Sequence, residues 1–481
     1  MRIPHPHLTR LQRAEVIALV LLVVVTLLFV TANPGNTLQQ AQNRGELVVA
    51  MRIGNTTYLP SPEGATGFEY EMAKAFADWL DVDLKIVVPG RFDAILNRTA
   101  RGKVHLAAAG ITITPEREAY LRFGPSYLQI TEQLIHRPSE TGRIRTIEDL
   151  ADRQIVVVSG TAHIETLRLL QEMHPFITWE EIPRADPEEL LRRVWEGNIE
   201  ATIVDSIELS ATQRFYPGLR AALDLTEPKS LAWAFPKTTD LSLFNEAEAF
   251  FVYLKSTGLL EQMLERYFGH LDVIDQAGMI RFLREARESL PTFEPLFREA
   301  ARQYDLDWRL LAAISYQESH WNPNAVSRTG VRGLMMLTLA TAGELGVEDR
   351  LDPRASVFGG TQYLINLRDR LPERIQEPDR TWMALAAYNI GMGHLHDARA
   401  ITQRQGKDPD RWLDVMEYLP LLSRPEWHSQ TRFGYARGWE PVQYVQNIRA
   451  FYDVLNWLAA GGELGRMPSS LQIMDIFPRG L

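Results

Sequence analysis

Two rhythms of apolar and polar residues divide this chain. Over residues 45–268, short apolar runs alternate with segments whose apolar positions recur every three to four residues, the signatures of strands and amphipathic helices. The stretches "ELVVAMRI", "LKIVVP" and "VHLAAAG" predict strands, and "GFEYEMAKAFADWL" and "FDAILNRTARG" predict helices between them. That alternation implies an α/β lobe with parallel strands. After "QLIHR" a second set begins: a short helix at "TIEDLA", strands at "QIVVVSG" and "IEATIVDS", and helices at "HIETLRLLQEM" and "PEELLRRVWEG". The segment "SLAWAFPK" predicts a return strand, after which helices run through "EAEAFFVYLKSTGLLEQMLERYFG", so the chain is expected to cross back to the first lobe. Beyond Gly269 the strand pattern stops and helical periods continue to "VQNIRAFYDVLNWLAAGG". We therefore expect a two-lobed α/β domain over residues 33–269 and an all-α domain over 270–481.

A chain of 481 residues is long enough for two or three cores. Apolar residues at 45% and charged residues at 23% mark folded protein rather than disorder. A formal net charge of -10, with no zinc-finger spacing, Walker loop or basic helix, argues against a nucleic-acid partner. The absence of cysteine removes disulfides, thiolate chemistry and a lipid-anchored N-terminal cysteine. Arg2, Arg10 and Arg13 precede an uncharged apolar run over residues 16–30, the pattern of an export signal, and Val30-Thr31-Ala32 offers small residues for cleavage after Ala32. Residues 1–32 are read as a signal peptide. The alternative is an uncleaved anchor, although the run is short against the roughly 20 apolar residues a span needs.

Within the helical part, "SYQESHWNP" places a carboxylate where the packing face should be apolar. Leu311, Ile314, Ser315 and Glu318 fall at i, i+3, i+4 and i+7, so Glu318 faces inward, and Asn322-Pro323 ends the helix about a turn later. A carboxyl group in partly apolar surroundings stays protonated towards neutrality, as a general acid must. Further along, "GVRGLMMLTLATAGELG" pairs a glycine turn with a Met-rich segment read as an apolar helix, and "WMALAAYNIGMGHL" predicts a helix ending in Tyr388-Asn389 and Gly391.

In this order and spacing these motifs resemble the lysozyme-like domain of lytic transglycosylases, over roughly residue 270 to the C-terminus. The resemblance implies that Glu318 is the sole catalytic acid/base, with Ser319 beside it, and that Gly333-Leu334-Met335 opens a second motif. Ala386-Ala387-Tyr388-Asn389 would be the third, and "YVQNI", with Tyr444 placed to contact or orient the acid, the fourth. Ser319, Met335, Tyr388, Asn389 and Tyr444 would contact substrate. Where many relatives carry Gln after G-L-M, this chain has Met336, and Leu339 precedes Ala340-Thr341-Ala342. The implied chemistry is a carbon–oxygen lyase reaction on peptidoglycan, that of an exotransglycosylase. Glu318 protonates the bond between N-acetylmuramic acid and N-acetylglucosamine, the substrate's acetamido group assists, and attack by the C6 hydroxyl closes a 1,6-anhydro ring without water. Asp352 and Glu344 are other carboxylates in the region, but no motif recommends them.

In the first half, Thr112, Thr114 and Arg117 follow a strand ending at Gly110, and hydroxyls, N–H groups and a guanidinium suit a carboxylate. Ser159-Gly160-Thr161 makes a second anion-friendly turn, and Asp205 closes the strand in "EATIVD", where a ligand's ammonium could bind. As a set, these residues resemble family 3 solute-binding proteins, which bind amino acids between two lobes. By that resemblance Thr112 and Arg117 hold a carboxylate, Thr161 adds a contact and Asp205 takes an amino group. Glu69 stands where the family commonly has Asp. A murein peptide or amino acid bound there is expected to regulate access to Glu318, against the alternative of a module that only positions the enzyme.

Two other functions remain open at this level: a goose-type lysozyme that hydrolyses the same bond, and a periplasmic amino-acid receptor without activity. The expected partner is the peptidoglycan glycan strand, and the family's place is the periplasm, peripheral on the inner face of the cell outer membrane. No cofactor or metal is expected, since His394 and His396 lack ligand spacing.

Overall fold

The structure, a computed structural model, describes residues 35–54, 56–60, 65–137, 144–269, 276–327 and 330–459. The expected signal peptide lies outside the described residues. Packing divides the chain into two compact units: one holds the N-terminal segment to Arg52, Glu69–Leu128 and Ser230–Ser256, and the other holds Ile53–Phe68, Gln129–Lys229 and Thr257–Leu481.

In the first unit the sheet runs β2-β1-β3-β12-β4. Strands β1 (Glu46–Ala50), β2 (Asp83–Val87) and β3 (Leu106–Ala107) pair in parallel, joined by the helices Phe68–Trp79 and Phe92–Ala100. The sheet is mixed rather than wholly parallel, because β12 (Ala234–Pro236) runs antiparallel to both β3 and β4 (Leu121–Phe123). This β12 is the expected return strand, and it brings the chain back into the first lobe. The third strand is shorter than "VHLAAAG" promised: its ladder covers Leu106–Ala107, and Gly110 beyond it takes a positive φ of 63°. A buried aromatic group holds the unit together, with Trp233 against Phe251 at 5.0 Å between ring centres and Phe76 against Phe250 at 5.2 Å.

Two short strands, β5 (Leu128–Ile130) and β11 (Lys229–Leu231), pair with each other. In the second unit the sheet order is β10-β6-β9-β7-β8. Strand β7 (Ile155–Val158) is buried along its whole length and pairs in parallel with β8 (Trp179–Ile182) and β9 (Ala201–Asp205), as a continuous apolar run should. Strands β6 (Glu132–His136) and β10 (Arg220–Asp224) are antiparallel, and β6 sets Glu132 directly opposite Asp205. Polar faces left β8 and β10 without a readable alternation.

The same unit continues into helices, the longest being Leu290–Tyr304, Pro353–Asp369 and Trp439–Ala459. One apolar cluster runs through both parts, from Ile135 and Trp195 beside the sheet to Leu311, Met383 and Val445 in the bundle. At the join Phe215 stacks on Trp457 at 4.7 Å between ring centres, and Arg214 pairs with Asp453 at 2.8 Å. Deeper in the bundle Phe282, Tyr316 and Phe451 meet pairwise at 4.6 to 4.7 Å, each ring contributing about 1.5–3 kcal/mol by leaving water. No described helix is long and apolar enough to cross a membrane.

Candidate active site

Glu318 sits in the last turn of the helix Trp308–Ser319, capped at its start by Asp307 accepting from the Arg309 N–H at 2.9 Å. The inward face is as the spacing requires: Leu311, Ile314 and Ser315 are fully buried, and Glu318 follows on that face, half-buried. Helix growth stops where His320 and Trp321 both turn left-handed, before Pro323 is reached. The Trp321 ring folds back into the core and its Nε1 donates to the Ala312 carbonyl at 2.9 Å, which offsets the strained backbone.

Two further helices close around the acid. Tyr444, on the helix Trp439–Ala459, donates its hydroxyl to Glu318 Oε1 at 2.5 Å. Tyr388, at the end of the helix Asp379–Ile390, donates to the backbone carbonyl of Met335 at 2.8 Å. Burial pushes the Glu318 carboxyl up to about 7, partly opposed by the Tyr444 hydrogen bond. Both phenols are held far above their usual range, first by burial and then by the Glu318 charge, so they remain donors.

The segment read from sequence as a Met-rich helix is a turn; the helix covers only Leu339–Glu344. Gly333 has φ +85°, and a Cβ there would lie 1.8 Å from the Arg350 carbonyl oxygen, so a helix cannot begin at this point. The turn then passes Met336 in a left-handed conformation and short bridges pairing Arg332 with Val326 and Leu337. Its apolar residues are buried because the turn itself is packed inward. Met335 is fully buried, its N–H donates to Ser356 Oγ at 3.1 Å, and its side chain lies on Gly360. Ser315 and Ser319 both donate to the Leu334 carbonyl, at 3.1 and 2.9 Å, which ties the turn to the Glu318 helix. Asn389 is exposed at the helix end beside Tyr388. Asp352 caps the helix Pro353–Asp369 through the Ala355 N–H at 2.7 Å, and Glu344 is exposed.

The four residues expected to hold a small ligand divide between the units: Thr112 and Arg117 lie in the first, Thr161 and Asp205 in the second. Arg117 is buried while the flanking Glu116 and Glu118 are exposed, which rules out a solvated charge cluster. Its Nη1 donates to the Thr112 carbonyl at 3.0 Å, and its guanidinium lies 5.5 Å from the centre of the Phe92 ring. Thr161 donates its hydroxyl to the Val158 carbonyl at 2.8 Å. Asp205 meets His163 Nε2 at 3.1 Å, a partner that a lone histidine in a helix's first turn did not announce. Glu69 is also explained: it accepts from the Gly110 N–H and from Trp233 Nε1, each at 2.8 Å, and from the Tyr127 hydroxyl. It therefore anchors the loop that leads to Thr112 and Arg117. Among the described residues no group of acidic and histidine side chains has the form of a metal site.

A solute-binding fold joined to a helical domain with a half-buried glutamate under two tyrosines defines a class, the solute-binding module fused to a lytic-transglycosylase domain. The family of bacterial extracellular solute-binding proteins, family 3, matches residues 47–270, and the transglycosylase SLT domain family matches residues 295–411. Membrane-bound lytic murein transglycosylase F of Saccharophagus degradans is 47% identical over 94% of this chain and 89% of its own length. A second relative, membrane-bound lytic murein transglycosylase F 1 of Alkalilimnicola ehrlichii, is 47% identical over 89% of this chain and 87% of its own. The chain belongs to the membrane-bound lytic murein transglycosylase F family. Among solved structures, an amino acid ABC transporter substrate-binding protein of Streptococcus pneumoniae is 23% identical, with a TM-score of 0.44 over 49% of this chain and 98% of its own.

Proposed function

We propose that this protein is a murein lyase in which Glu318 serves alone as acid and then base. The observation that carries the reading is the setting of Glu318, half-buried in the last turn of its helix with the Tyr444 hydroxyl on its Oε1 at 2.5 Å. Glycosidases that use two carboxylates bring both to the scissile bond, which leaves substrate assistance as the route for a single one. A carboxyl near 7 is protonated often enough at neutral pH to deliver its proton to the glycosidic oxygen as the C1–O bond breaks. The acetamido oxygen of N-acetylmuramic acid stabilises the cation at C1. The resulting Glu318 carboxylate takes the proton of the C6 hydroxyl as its oxygen bonds to C1, which restores the acid and leaves a 1,6-anhydro end.

Tyr444 orients the carboxyl, and Tyr388 holds the Met335 carbonyl at the edge of the site. Ser319 and Met335 act by fixing the glycine turn, and Asn389 is the exposed group that meets the sugar. The lyase module is residues 270–481, and residues 33–269 form the solute-binding module behind an export segment at 1–32. In that module Arg117 and Thr112 would take a carboxylate. Thr161 would add a contact, and Asp205 would share an incoming amino group with His163. A murein peptide or amino acid fits this chemistry, and its binding would regulate the lyase. The protein works in the periplasm, peripheral on the inner face of the outer membrane.

The test is mass spectrometry of products released from purified murein by residues 33–481, with Glu318→Ala beside it. Products one water lighter than those of a lysozyme, lost in the variant, are expected. Reducing-end products would make the enzyme a hydrolase, and no release would move the function to ligand binding.

A further inference from the structure

The stretch leading into the helix Trp439–Ala459 from the helix Pro425–His428 ends Phe433-Gly434-Tyr435-Ala436-Arg437-Gly438 and meets Trp439 at the helix start, large and small residues by turns. Its exposure alternates with its size. Phe433, Tyr435 and Trp439 are 50%, 58% and 52% exposed, Arg437 is exposed, and Ala436 and Gly438 are buried. Single exposed aromatics are ordinary, but three in seven residues, presented by a backbone pressed flat on its other side, form a built surface. The pressing is visible in two contacts. The Ala436 N–H donates to the Leu422 carbonyl at 3.1 Å, and a Cβ on Gly438 would lie 1.6 Å from the Leu419 carbonyl oxygen.

Both ends of this surface are tied to elements that follow or carry candidate-site residues. Buried Asp397 accepts the N–H groups of Arg432 and Phe433, at 3.1 and 2.7 Å, and the Phe433 ring rests on Gly393, four residues beyond Asn389. At the other end Trp439 opens the helix that carries Tyr444, about 7.5 Å further along its axis. The Arg432 guanidinium lies 5.4 Å from the centre of the Phe433 ring, while Arg437 pairs with Glu440 at 3.1 Å.

We infer that Phe433, Tyr435 and Trp439 form a stacking platform for the murein glycan strand outside the cleaved disaccharide, with Arg432 facing carboxylates of the stem peptides. Flat ring faces suit the C–H faces of pyranoses, and the phenol and indole N–H add hydrogen bonds at the ring edge. The platform would hold the polymer while Glu318 acts on one bond, so it affects long glycan more than short. This rests on the reading of the helical domain as a murein lyase.

Binding without turnover separates the two claims. The full mature chain carrying Glu318→Gln is co-sedimented with purified sacculi, with and without Tyr435→Ala plus Trp439→Ala, and both pairs are tested by light scattering and vesicle flotation. The double replacement is expected to weaken sacculus binding about tenfold, as truncation of aromatic anchors does, while Tyr435→Phe plus Trp439→Phe stays within about twofold. In the active chain, KM should rise at least about fivefold more on sacculi than on a murein tetrasaccharide. Unchanged sacculus binding, or equal losses on both substrates, would overturn the platform. So would a changed oligomeric state, which would make this a self-association face, or a loss confined to phospholipid vesicles. Absence of anhydro products from the unaltered chain would instead overturn the lyase reading, and the binding result would stand apart from it.

Discussion

Two glutamates, one in each compact unit, show how the same side chain is set to different ends. Glu69 is buried under three donors from Gly110, Tyr127 and Trp233, and Glu318 is half-buried under one, from Tyr444. Burial raises both carboxyls above their usual range. What differs is the lone pairs left over. Those of Glu69 are committed to holding a loop, so its ionisation is tied to the fold. Glu318 has Tyr444 on one oxygen and is only half-buried, as its proposed role requires. Full satisfaction marks a structural carboxylate, and partial satisfaction at the edge of a core marks a reactive one.

Substitution at Glu318 has the largest expected effect. Glu318→Gln should lower anhydro-product formation by at least about a thousandfold if Glu318 is the sole acid and base, as proposed. Its stability effect should have the opposite sign. With a folded pKa of about 7 against an ordinary value of 4.5, the native state holds the extra proton between those limits. Stability contributed by the neutral acid is therefore present below the lower value and is lost as pH rises to the upper one. Glu318→Gln should leave stability unchanged at pH 4 and raise it by about 1–3 kcal/mol at pH 8, read from thermal unfolding at the two pH values. A loss of stability at pH 8 would show that Glu318 is held as a structural group.

At Glu69 the expectation reverses. Glu69→Ala strands three donors and opens a cavity, and should cost about 3–5 kcal/mol of the first unit's local stability. Hydrogen exchange at the Gly110 amide and along Leu106–Ala107 should speed accordingly, with little change in the helical domain. Exchange that stays slow would mean that the three hydrogen bonds add little to the loop's order.

Much of this contrast could be read from the sequence, though unevenly. The inward aim of Glu318 follows from Leu311, Ile314 and Ser315 at helical spacing, and Tyr444 and Tyr388 from motifs spaced along two further helices. Glu69 could not be read, because its partners lie 41, 58 and 164 residues away and two of them are ordinary core aromatics. The same holds for His163 beside Asp205, 42 residues apart. The Met335 carbonyl that receives Tyr388 was invisible for another reason: a backbone acceptor leaves no mark on residue identity. The Met-rich turn was misread as helix because an apolar run buried by tight packing looks like an apolar helix face, and only the crowding at Gly333 distinguishes them. Both lobes and the return strand were legible in the first half, where periods of two and of three to four alternate cleanly. The two polar strands, Trp179–Ile182 and Arg220–Asp224, were not.

The smallest expected effect tests the single hydrogen bond that separates Glu318 from an unpartnered acid. Tyr444→Phe removes a donor that favours the carboxylate, so the Glu318 pKa should rise above about 7. With the protonated form as the proposed catalytic acid, kcat/KM should fall as pH rises through that pKa, and the alkaline limb of the profile should move to higher pH. The rate on the plateau should fall about tenfold, since the carboxyl loses its orienting partner while the proton itself remains. Tyr388→Phe provides the contrast. Its hydroxyl serves the Met335 carbonyl, so this change should lower the rate through the turn and leave the alkaline limb where it was. If both variants shifted the limb equally, the two tyrosines would be acting on Glu318 through burial alone, and the hydrogen bond from Tyr444 would have no special part in setting the acid.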